Sequence, residues 1–195
     1  MTAPTAAGRP RPDEPGPHPA APSPAGPQLS AIRDFLASHV SGIGTILNGV
    51  FMIRTHEQAE HLSAMLACQC PDPMRAAAGI WELVSNAIEH GNLAISYDDK
   101  TDLLKAGSFA AEIARRQAAE PFVARQVRVE FERGDAAVVL TITDEGDGFD
   151  HHLYLDCDAT GDRPNGRGLY VASHYAFDDL TFLGKGNCVR AIMRG

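Results

Sequence analysis

The chain has 195 residues, of which 44% are hydrophobic, and its formal net charge is −8. This length suits one domain, alone or with a tail, and the hydrophobic content is ample for a buried core. The acidic balance argues against a nucleic-acid partner, which would normally require a basic patch. The N-terminus lacks a basic region followed by an apolar run, so no signal peptide is expected, and the 4 cysteines are expected to be reduced thiols in a cytoplasmic protein.

Residues 1–28 hold nine of the 13 prolines, with alanine, glycine and serine between them. Each proline fixes φ and removes a backbone donor, so this segment is predicted to be a disordered tail. Residues 29–45 are predicted to form a short helix over Leu29–Val40 and a linker, and so short a helix needs a surface to dock on. Residues 35–53 carry no formal charge, but the glycines and polar side chains among them exclude a membrane span, so no membrane partner is expected.

The first predicted elements of the folded domain are one strand and several helices. Leu47–Arg54 is rich in large apolar and β-branched residues, which predicts a strand. A helix capped by Thr55 follows, and a second helix is predicted to begin at Pro73. Leu93–Pro121 is helical in pattern, and Gly107 is expected to divide it into two helices that form an insertion over the sheet.

The remaining elements are two predicted β-hairpins. Gln126–Arg133 and Ala136–Thr143 alternate apolar and polar residues around a Gly-Asp pair, and Leu180–Leu183 and Cys188–Met193 flank a second glycine-rich turn. The order of elements predicts an α/β two-layer sandwich for residues 46–195. We expect a mixed, largely antiparallel sheet with helices on one face.

The stretch Gly79–Asn92 places chemically reactive side chains on the second helix. Glu82 and Asn86 are four residues apart and share one face, and His90 lies one turn further on. A solvated polar face is the alternative interpretation of this stretch taken alone. The opposite face is apolar and predicts a buried stripe of Trp81, Val84, Ala87 and Ile88.

A second candidate segment, Asp-Glu-Gly-Asp-Gly, follows the strand with the strongest alternation. Asp144 stands at the strand end, and Gly146 and Gly148 let the backbone approach a ligand without interference from a Cβ atom. The carboxylate can accept a hydrogen bond from the exocyclic amine of adenine, whereas guanine has a carbonyl at that position. An ordinary Asp/Gly-rich turn is the alternative for this segment alone.

A third segment has the sequence Gly-Arg-Gly-Leu and leads into a predicted helix. Gly166 and Gly168 precede unpaired backbone N–H groups and the positive end of the helix dipole, which favour phosphate. A simple helix cap is the alternative. The chain has neither a P-loop nor the glycine pattern of a dinucleotide-binding fold, so the two commonest nucleotide-binding folds are disfavoured.

In this order, the three segments resemble the GHKL (Bergerat-fold) ATPase superfamily, which includes histidine kinase catalytic domains, gyrase-type ATPases and bacterial anti-sigma-factor kinases. The run from Glu82 to Asn92 looks most like the anti-sigma-factor serine/threonine kinase branch, where an Asn-Ala-x-x-His-Gly sequence is typical. The resemblance covers about residues 47–195. It implies the histidine kinase-like ATPase fold, with ATP and Mg²⁺ as cofactors.

The resemblance also implies a role for each matched residue. Asn86 would coordinate Mg²⁺ through its amide oxygen, and Glu82 would act as the general base or orient the attacking hydroxyl. Asp144 would hold the adenine amine, with the glycines of its segment shaping the pocket. The expected catalytic residue is therefore Glu82, and the expected nucleotide-binding residues are Asn86, His90, Asp144, Gly146, Gly148, Phe149, Gly166, Arg167, Gly168 and Leu169.

The resemblance further implies a lid over residues 149–165 that the Gly-x-Gly segment closes over the phosphates. Independently of the family, Arg167 or Lys185 is expected to neutralise phosphate charge. His90 and Asn92 match the family pattern, and bracing of the helix end is an alternative role for both. The family often has a threonine near the adenine in the last hairpin, where this chain has Asn187 and Cys188 instead.

The function implied by the resemblance is that of an ATP-dependent serine/threonine protein kinase. It would phosphorylate a hydroxyl of a small antagonist protein and bind a sigma factor or a similar protein, and related domains often form homodimers. A histidine kinase-like ATP-binding domain and a non-catalytic ATP-dependent binding module are the alternatives. The sequence contains no long helix pair with a phosphoacceptor histidine, which weighs against the first alternative.

Overall fold

The computed structural model describes residue 34, residues 44–149 and residues 167–195. The predicted tail, almost all of the predicted helix over Leu29–Val40, and Gly166 therefore lie outside the described residues. The same holds for residues 150–165 of the predicted lid.

The described strands form one five-stranded sheet in the order β1-β2-β3-β5-β4. Every neighbouring pair is antiparallel, so the predicted sandwich with a largely antiparallel sheet is confirmed, and no parallel pair occurs among the described strands. The two predicted hairpins are β2–β3 and β4–β5. The strands are Asn48–Ile53 (β1), Val127–Arg133 (β2), Ala137–Thr143 (β3), Asp179–Leu183 (β4) and Cys188–Arg194 (β5).

Five α-helices occur in the described ranges, and two of them continue into π-helical segments. The first helix is capped by Thr55 as predicted, because its hydroxyl accepts a hydrogen bond from the backbone N–H of Gln58 and the Gln58 side chain accepts one in return. The helices are His56–Ala67 (α1), Pro73–Asn86 (α2), Tyr97–Lys105 (α3), Phe109–Gln117 (α4) and Arg167–Tyr170 (α5). The π-helical segments are Ala87–Asn92 after α2 and Val171–Ala176 after α5.

Two backbone features shape the middle of the chain. Gly107 has a φ of +66° between α3 and α4, so the predicted division of the insertion at this glycine is confirmed. The second helix continues from Asn86 into a wider π-helical turn, in which the N–H of Leu93 bonds to the carbonyl of Ile88.

The core lies between one face of the sheet and the helices. Alternate residues of β2, β3 and β5 are buried, as the alternation predicted, and α2 packs its apolar face against them. The largest fully buried side chains of this layer include Phe131, Leu140, Ile142, Met193, Ile80 and Val84. Trp81 was expected in the buried stripe of α2, but it is only partly buried.

None of the helices in the described ranges combines the length and the apolar character that a bilayer crossing requires.

At Gly79, α2 packs closely against the segment that follows α5. A Cβ atom added at Gly79 would lie 2.3 Å from the Cβ of Ala176 and 2.6 Å from the ring of Phe177. We expect Gly79→Ala to lower the free energy of unfolding by about 1–3 kcal/mol, because the two elements must separate. Urea denaturation would measure the loss. Gly134→Ala is the matched control, because its Cβ would meet only Ala137 O at 3.5 Å, and equal stability of the two variants would contradict the expectation.

Candidate functional site

A cavity of about 350 Å³ opens between the end of α2, the start of the insertion and the ends of β3 and β5. Its lining combines apolar side chains with a smaller number of polar and charged groups. The predicted nucleotide-binding residues that line it are Asn86, His90, Asp144, Gly148, Phe149 and Leu169.

Asp144 is fixed at the end of β3 by its backbone. Its N–H donates to the carbonyl of Asn187 at 3.0 Å, and its carbonyl accepts from the Asn187 amide at 2.8 Å. The N–H of Gly146 donates to its carboxylate at 2.8 Å. Burial raises the pKa of Asp144 to about 6, although this hydrogen bond and the positive charges of Lys185 and Arg125 oppose the rise. A half-buried carboxylate with a free oxygen therefore faces the cavity.

Glycines permit the close packing behind this carboxylate. A Cβ atom at Gly91 would lie 2.3 Å from the Asp144 carboxyl carbon, and one at Gly146 would lie 2.4 Å from the carbonyl oxygen of Gly91. The end of the π-helical segment thus touches both the aspartate and its loop. Gly148 has a φ of +81° and touches the backbone of Lys185, so the loop bears on the β4–β5 turn as well.

Asn92 contributes to the site in a way that the sequence did not indicate. Its side-chain oxygen accepts a hydrogen bond from the N–H of Glu145 at 2.8 Å, and the residue is 3% exposed. Its carbonyl accepts from Arg125 at 3.0 Å. The side chain therefore braces the loop after β3, rather than the helix end that was considered for it.

His90 is held as a neutral ring at the cavity wall. Its Nδ1 lies 2.5 Å from the carbonyl oxygen of Ile95, which makes Nδ1 the protonated nitrogen, and its ring stacks on Tyr97 at 4.0 Å. Burial lowers the pKa of His90. Its Nε2 is buried and has no hydrogen-bond partner among the described residues.

Glu82 and Asn86 meet the start of α5 beside the cavity. A Cβ atom at Gly168 would lie 2.3 Å from Oε2 of Glu82 and 3.4 Å from the side-chain nitrogen of Asn86. Glu82 itself does not line the cavity, whereas Asn86 and Leu169 do. Burial raises the pKa of Glu82, the positive charge of Lys100 lowers it, and the negative charge of Glu89 raises it further. A partly buried carboxylate and an amide thus share one helix face next to the glycine segment.

Some predicted residues are not placed in the cavity. Gly166 and the side chain of Arg167 lie outside the description. Lys185 touches Gly148 but does not line the cavity, and its charge acts on Asp144. A role for Lys185 beside the phosphates therefore gains no support from its position. Asn187 and Cys188 both line the cavity.

The start of the insertion forms part of the cavity wall. The sequence indicated only a cover over the sheet, yet Ser96 and Tyr97 line the cavity, and so does Arg125 just beyond the insertion. Tyr97 is held there by its stacking on His90. In the sequence, Tyr97 follows the Asn-Ala-x-x-His-Gly run closely, and this is the one signal that could have predicted its place in the cavity wall.

A protein-family model, the histidine kinase-like ATPase domain, matches residues 57–193. The match covers more than half of the chain, and the chain belongs to this family of ATP-binding domains. No curated protein matches the sequence significantly. The observed α+β fold is consistent with this family, and the family implies ATP as the nucleotide that the domain uses.

The hydrogen bond of Asn92 gives a testable consequence. We expect Asn92→Ala to leave the partly buried N–H of Glu145 without its acceptor and to lower the free energy of unfolding by about 0.5–1.5 kcal/mol. ATP affinity, measured by isothermal titration calorimetry, should fall only a few-fold because Asp144 itself is retained. Asn48→Ala, at an exposed asparagine of β1, is the matched control. An unchanged melting temperature in Asn92→Ala would show that the hydrogen bond between Asn92 and Glu145 does not stabilise the fold.

Proposed function

We propose that this ATPase domain is a serine/threonine protein kinase of the anti-sigma-factor type, which transfers the γ-phosphoryl group of ATP to a hydroxyl of a partner protein. The observation that carries the proposal is that Glu82 and Asn86 both lie against Gly168, while Asn86 and Asp144 line the same cavity. An adenine at Asp144 would direct its phosphates toward the carboxylate and the amide. The Asn-Ala-x-x-His-Gly run supports the anti-sigma-factor branch.

The residues beside the cavity suit a magnesium ion. Mg²⁺ prefers oxygen ligands and binds through few protein groups together with substrate phosphates. No described residue hydrogen-bonds the Asn86 side chain, so its amide oxygen is available as such a ligand, and the Glu82 carboxylate lies against the same glycine. When bound, the ion would neutralise charge that develops on the phosphates.

The proposed reaction places Glu82 at the partner hydroxyl. The hydroxyl oxygen forms a new bond to the γ-phosphorus, and the bond from that phosphorus to the β–γ bridging oxygen breaks. Glu82 accepts the hydroxyl proton, and ADP leaves with the bridging oxygen. Because little covalent chemistry falls to the protein, positioning and charge stabilisation account for most of the catalysis. A carboxylate of raised pKa is well suited to receive a proton near neutral pH.

The partner that would complete this reaction is a protein of the same cell. We propose a small antagonist protein as the phosphoryl acceptor and a sigma factor or a similar regulator as the protein held by the unphosphorylated complex. The anti-sigma-factor likeness of the Glu82–Asn92 run supports both.

One assay tests the proposed function directly. The full chain is incubated with γ-³²P-labelled ATP, Mg²⁺ and the soluble protein fraction of its native cells, and the labelled products are treated with acid. Acid-stable label that depends on the added chain is the expected result, because phosphoserine and phosphothreonine survive acid. Acid-labile label would favour histidine phosphorylation. ATP binding without transfer would favour a binding module, and either result would overturn the kinase proposal.

A further inference from the structure

The turn between the π-helical segment and α3 forms part of the cavity wall and has an unusual backbone. Ala94 has a φ of +52°, and no other non-glycine residue in the described ranges has a positive φ. This left-handed region is unfavourable for alanine, because the Cβ atom approaches the following carbonyl oxygen. Ala94, Ile95 and Ser96 all line the cavity. The surrounding structure must therefore stabilise this conformation of the turn.

Arg116 on α4 binds this turn, although it does not line the cavity. Its Nη1 donates to the carbonyl oxygens of Leu93 and Ala94, both at 2.8 Å. Its Nε donates to Oε1 of Glu112 at 2.7 Å, one turn earlier on the same helix, and the arginine side chain is only 18% exposed. The planar guanidinium group is thus fixed by the glutamate on one side and holds two backbone carbonyls on the other.

The same turn positions two residues of the cavity wall. The carbonyl oxygen of Ile95 accepts the Nδ1–H of His90 at 2.5 Å, and Tyr97 stacks on that ring with the centroids 4.0 Å apart. The N–H of Ile95 donates to the carbonyl of Glu89 at 2.9 Å. Because Ile95 directly follows Ala94, a change of the backbone at Ala94 would move the oxygen that holds the His90 ring.

We propose that Arg116 is a positioning residue for nucleotide binding: its guanidinium group holds Ala94 in the left-handed conformation and thereby fixes the His90 ring in the cavity wall. The helical insertion then shapes the nucleotide site through a residue that does not itself touch the nucleotide. The consequence for ATP affinity rests on the proposed function, but the state of the His90 ring can be measured without any nucleotide.

The first test is the tautomer of His90 in the full chain labelled with ¹⁵N, read from the long-range ¹H–¹⁵N correlations of the histidine rings at pH 8.5. His90→Gln identifies the signals of this residue. The wild-type ring should carry its proton on Nδ1, because that nitrogen donates to Ile95. In Arg116→Met, we expect the tautomer with the proton on Nε2 to change from the minor to the major form.

Arg115→Met is the matched control for this measurement. Arg115 bonds the same Glu112, but its side chain is 64% exposed, and in the described part of the chain it makes no hydrogen bond to the turn. A purely structural role of Arg116 lowers the melting temperature and leaves the tautomer unchanged, so an unchanged tautomer overturns the inference. If Arg116→Met does not fold, Arg116→Lys replaces it, because the ammonium group ends one bond short of Nη1 and cannot reach both carbonyls from beside Glu112.

ATP affinity, measured by isothermal titration calorimetry, provides the second readout. We expect Arg116→Met to weaken ATP binding by about 5- to 20-fold, because part of the binding free energy must then restore the turn. The double variant Arg116→Met/Ala94→Gly should regain most of the affinity and the Nδ1 tautomer, since glycine adopts a positive φ without the steric cost. Unchanged ATP affinity in Arg116→Met, or no recovery in the double variant, would overturn the inference.

These results are distinct from a test of the kinase proposal. If the tautomer and the affinity change in Arg116→Met but the wild-type chain transfers no phosphate, the kinase proposal fails and the inference about Arg116 stands. If transfer occurs and neither the tautomer nor the affinity changes, the inference fails and the kinase proposal stands.

Discussion

Asp144→Asn is expected to weaken ATP binding by about 10- to 100-fold and to make the unliganded protein more stable above pH 6. The carboxylate has an oxygen free to accept a hydrogen bond from the adenine amine, and hydrogen bonds to charged groups contribute about 1.5–3 kcal/mol. Asparagine has a single acceptor oxygen, for which the N–H of Gly146 also competes. Isothermal titration calorimetry with ATP at pH 7.5 would measure the loss.

The stability change follows from the pKa of Asp144. Burial raises this pKa from its ordinary 3.8 to about 6, so the folded state binds a proton more tightly than the unfolded state. The stabilisation from proton uptake is complete below about pH 4 and is lost as pH rises through about 6. A neutral asparagine avoids this loss. Because Asp144 is only partly shielded from solvent, we expect a gain of about 1–2 kcal/mol at pH 7.5 and almost none at pH 4.

The control for this prediction is Asp147→Asn in the same loop. Asp147 also lines the cavity, but it is exposed. Its replacement should change neither the ATP affinity nor the pH dependence of the unfolding free energy by more than a small amount. Equal losses of affinity in the two variants would mean that net negative charge in the cavity matters, and not the position of Asp144.

The sequence predicted the parts of this site that depend on residue type at fixed spacing. Glu82 and Asn86 must share a helix face because they are four residues apart, and the glycines after Asp144 were expected where a Cβ atom would obstruct the backbone. In the structure, Asn86, Asp144 and Gly148 line one cavity, and Glu82 lies beside Asn86 at Gly168. The strands were predicted because their alternating pattern is set by burial of one face. Local rules therefore account for the main elements and for most of the candidate site.

The remaining features depend on contacts between residues far apart in sequence. Asn92 accepts a hydrogen bond from Glu145, and Glu89 pairs with His56 across 33 positions. No local pattern distinguishes these polar residues from solvated ones, because their partners become neighbours only after the sheet and helices have packed. For the same reason, the sequence did not predict that Tyr97 forms part of the cavity wall.

Glu82→Gln is expected to reduce phosphoryl transfer by about 10²- to 10⁴-fold while ATP affinity stays within about twofold of the wild type. A positioned general base contributes rate enhancements of this size, and glutamine cannot accept the proton of the partner hydroxyl. Binding should be spared because Glu82 does not line the cavity, whereas Asn86 and Asp144, which do, are unchanged.

The same substitution should not harm the fold, which separates a catalytic role from a structural one. Burial raises the pKa of Glu82, so its ionised form is held at a cost that the neutral, isosteric glutamine removes. The melting temperature of Glu82→Gln at pH 7.5 should therefore equal or exceed that of the wild type. Glu132→Gln, at an exposed position of β2, controls for the loss of one negative charge. Undiminished transfer by Glu82→Gln would exclude Glu82 as the base, and a parallel loss of ATP binding would indicate that it supports the nucleotide itself.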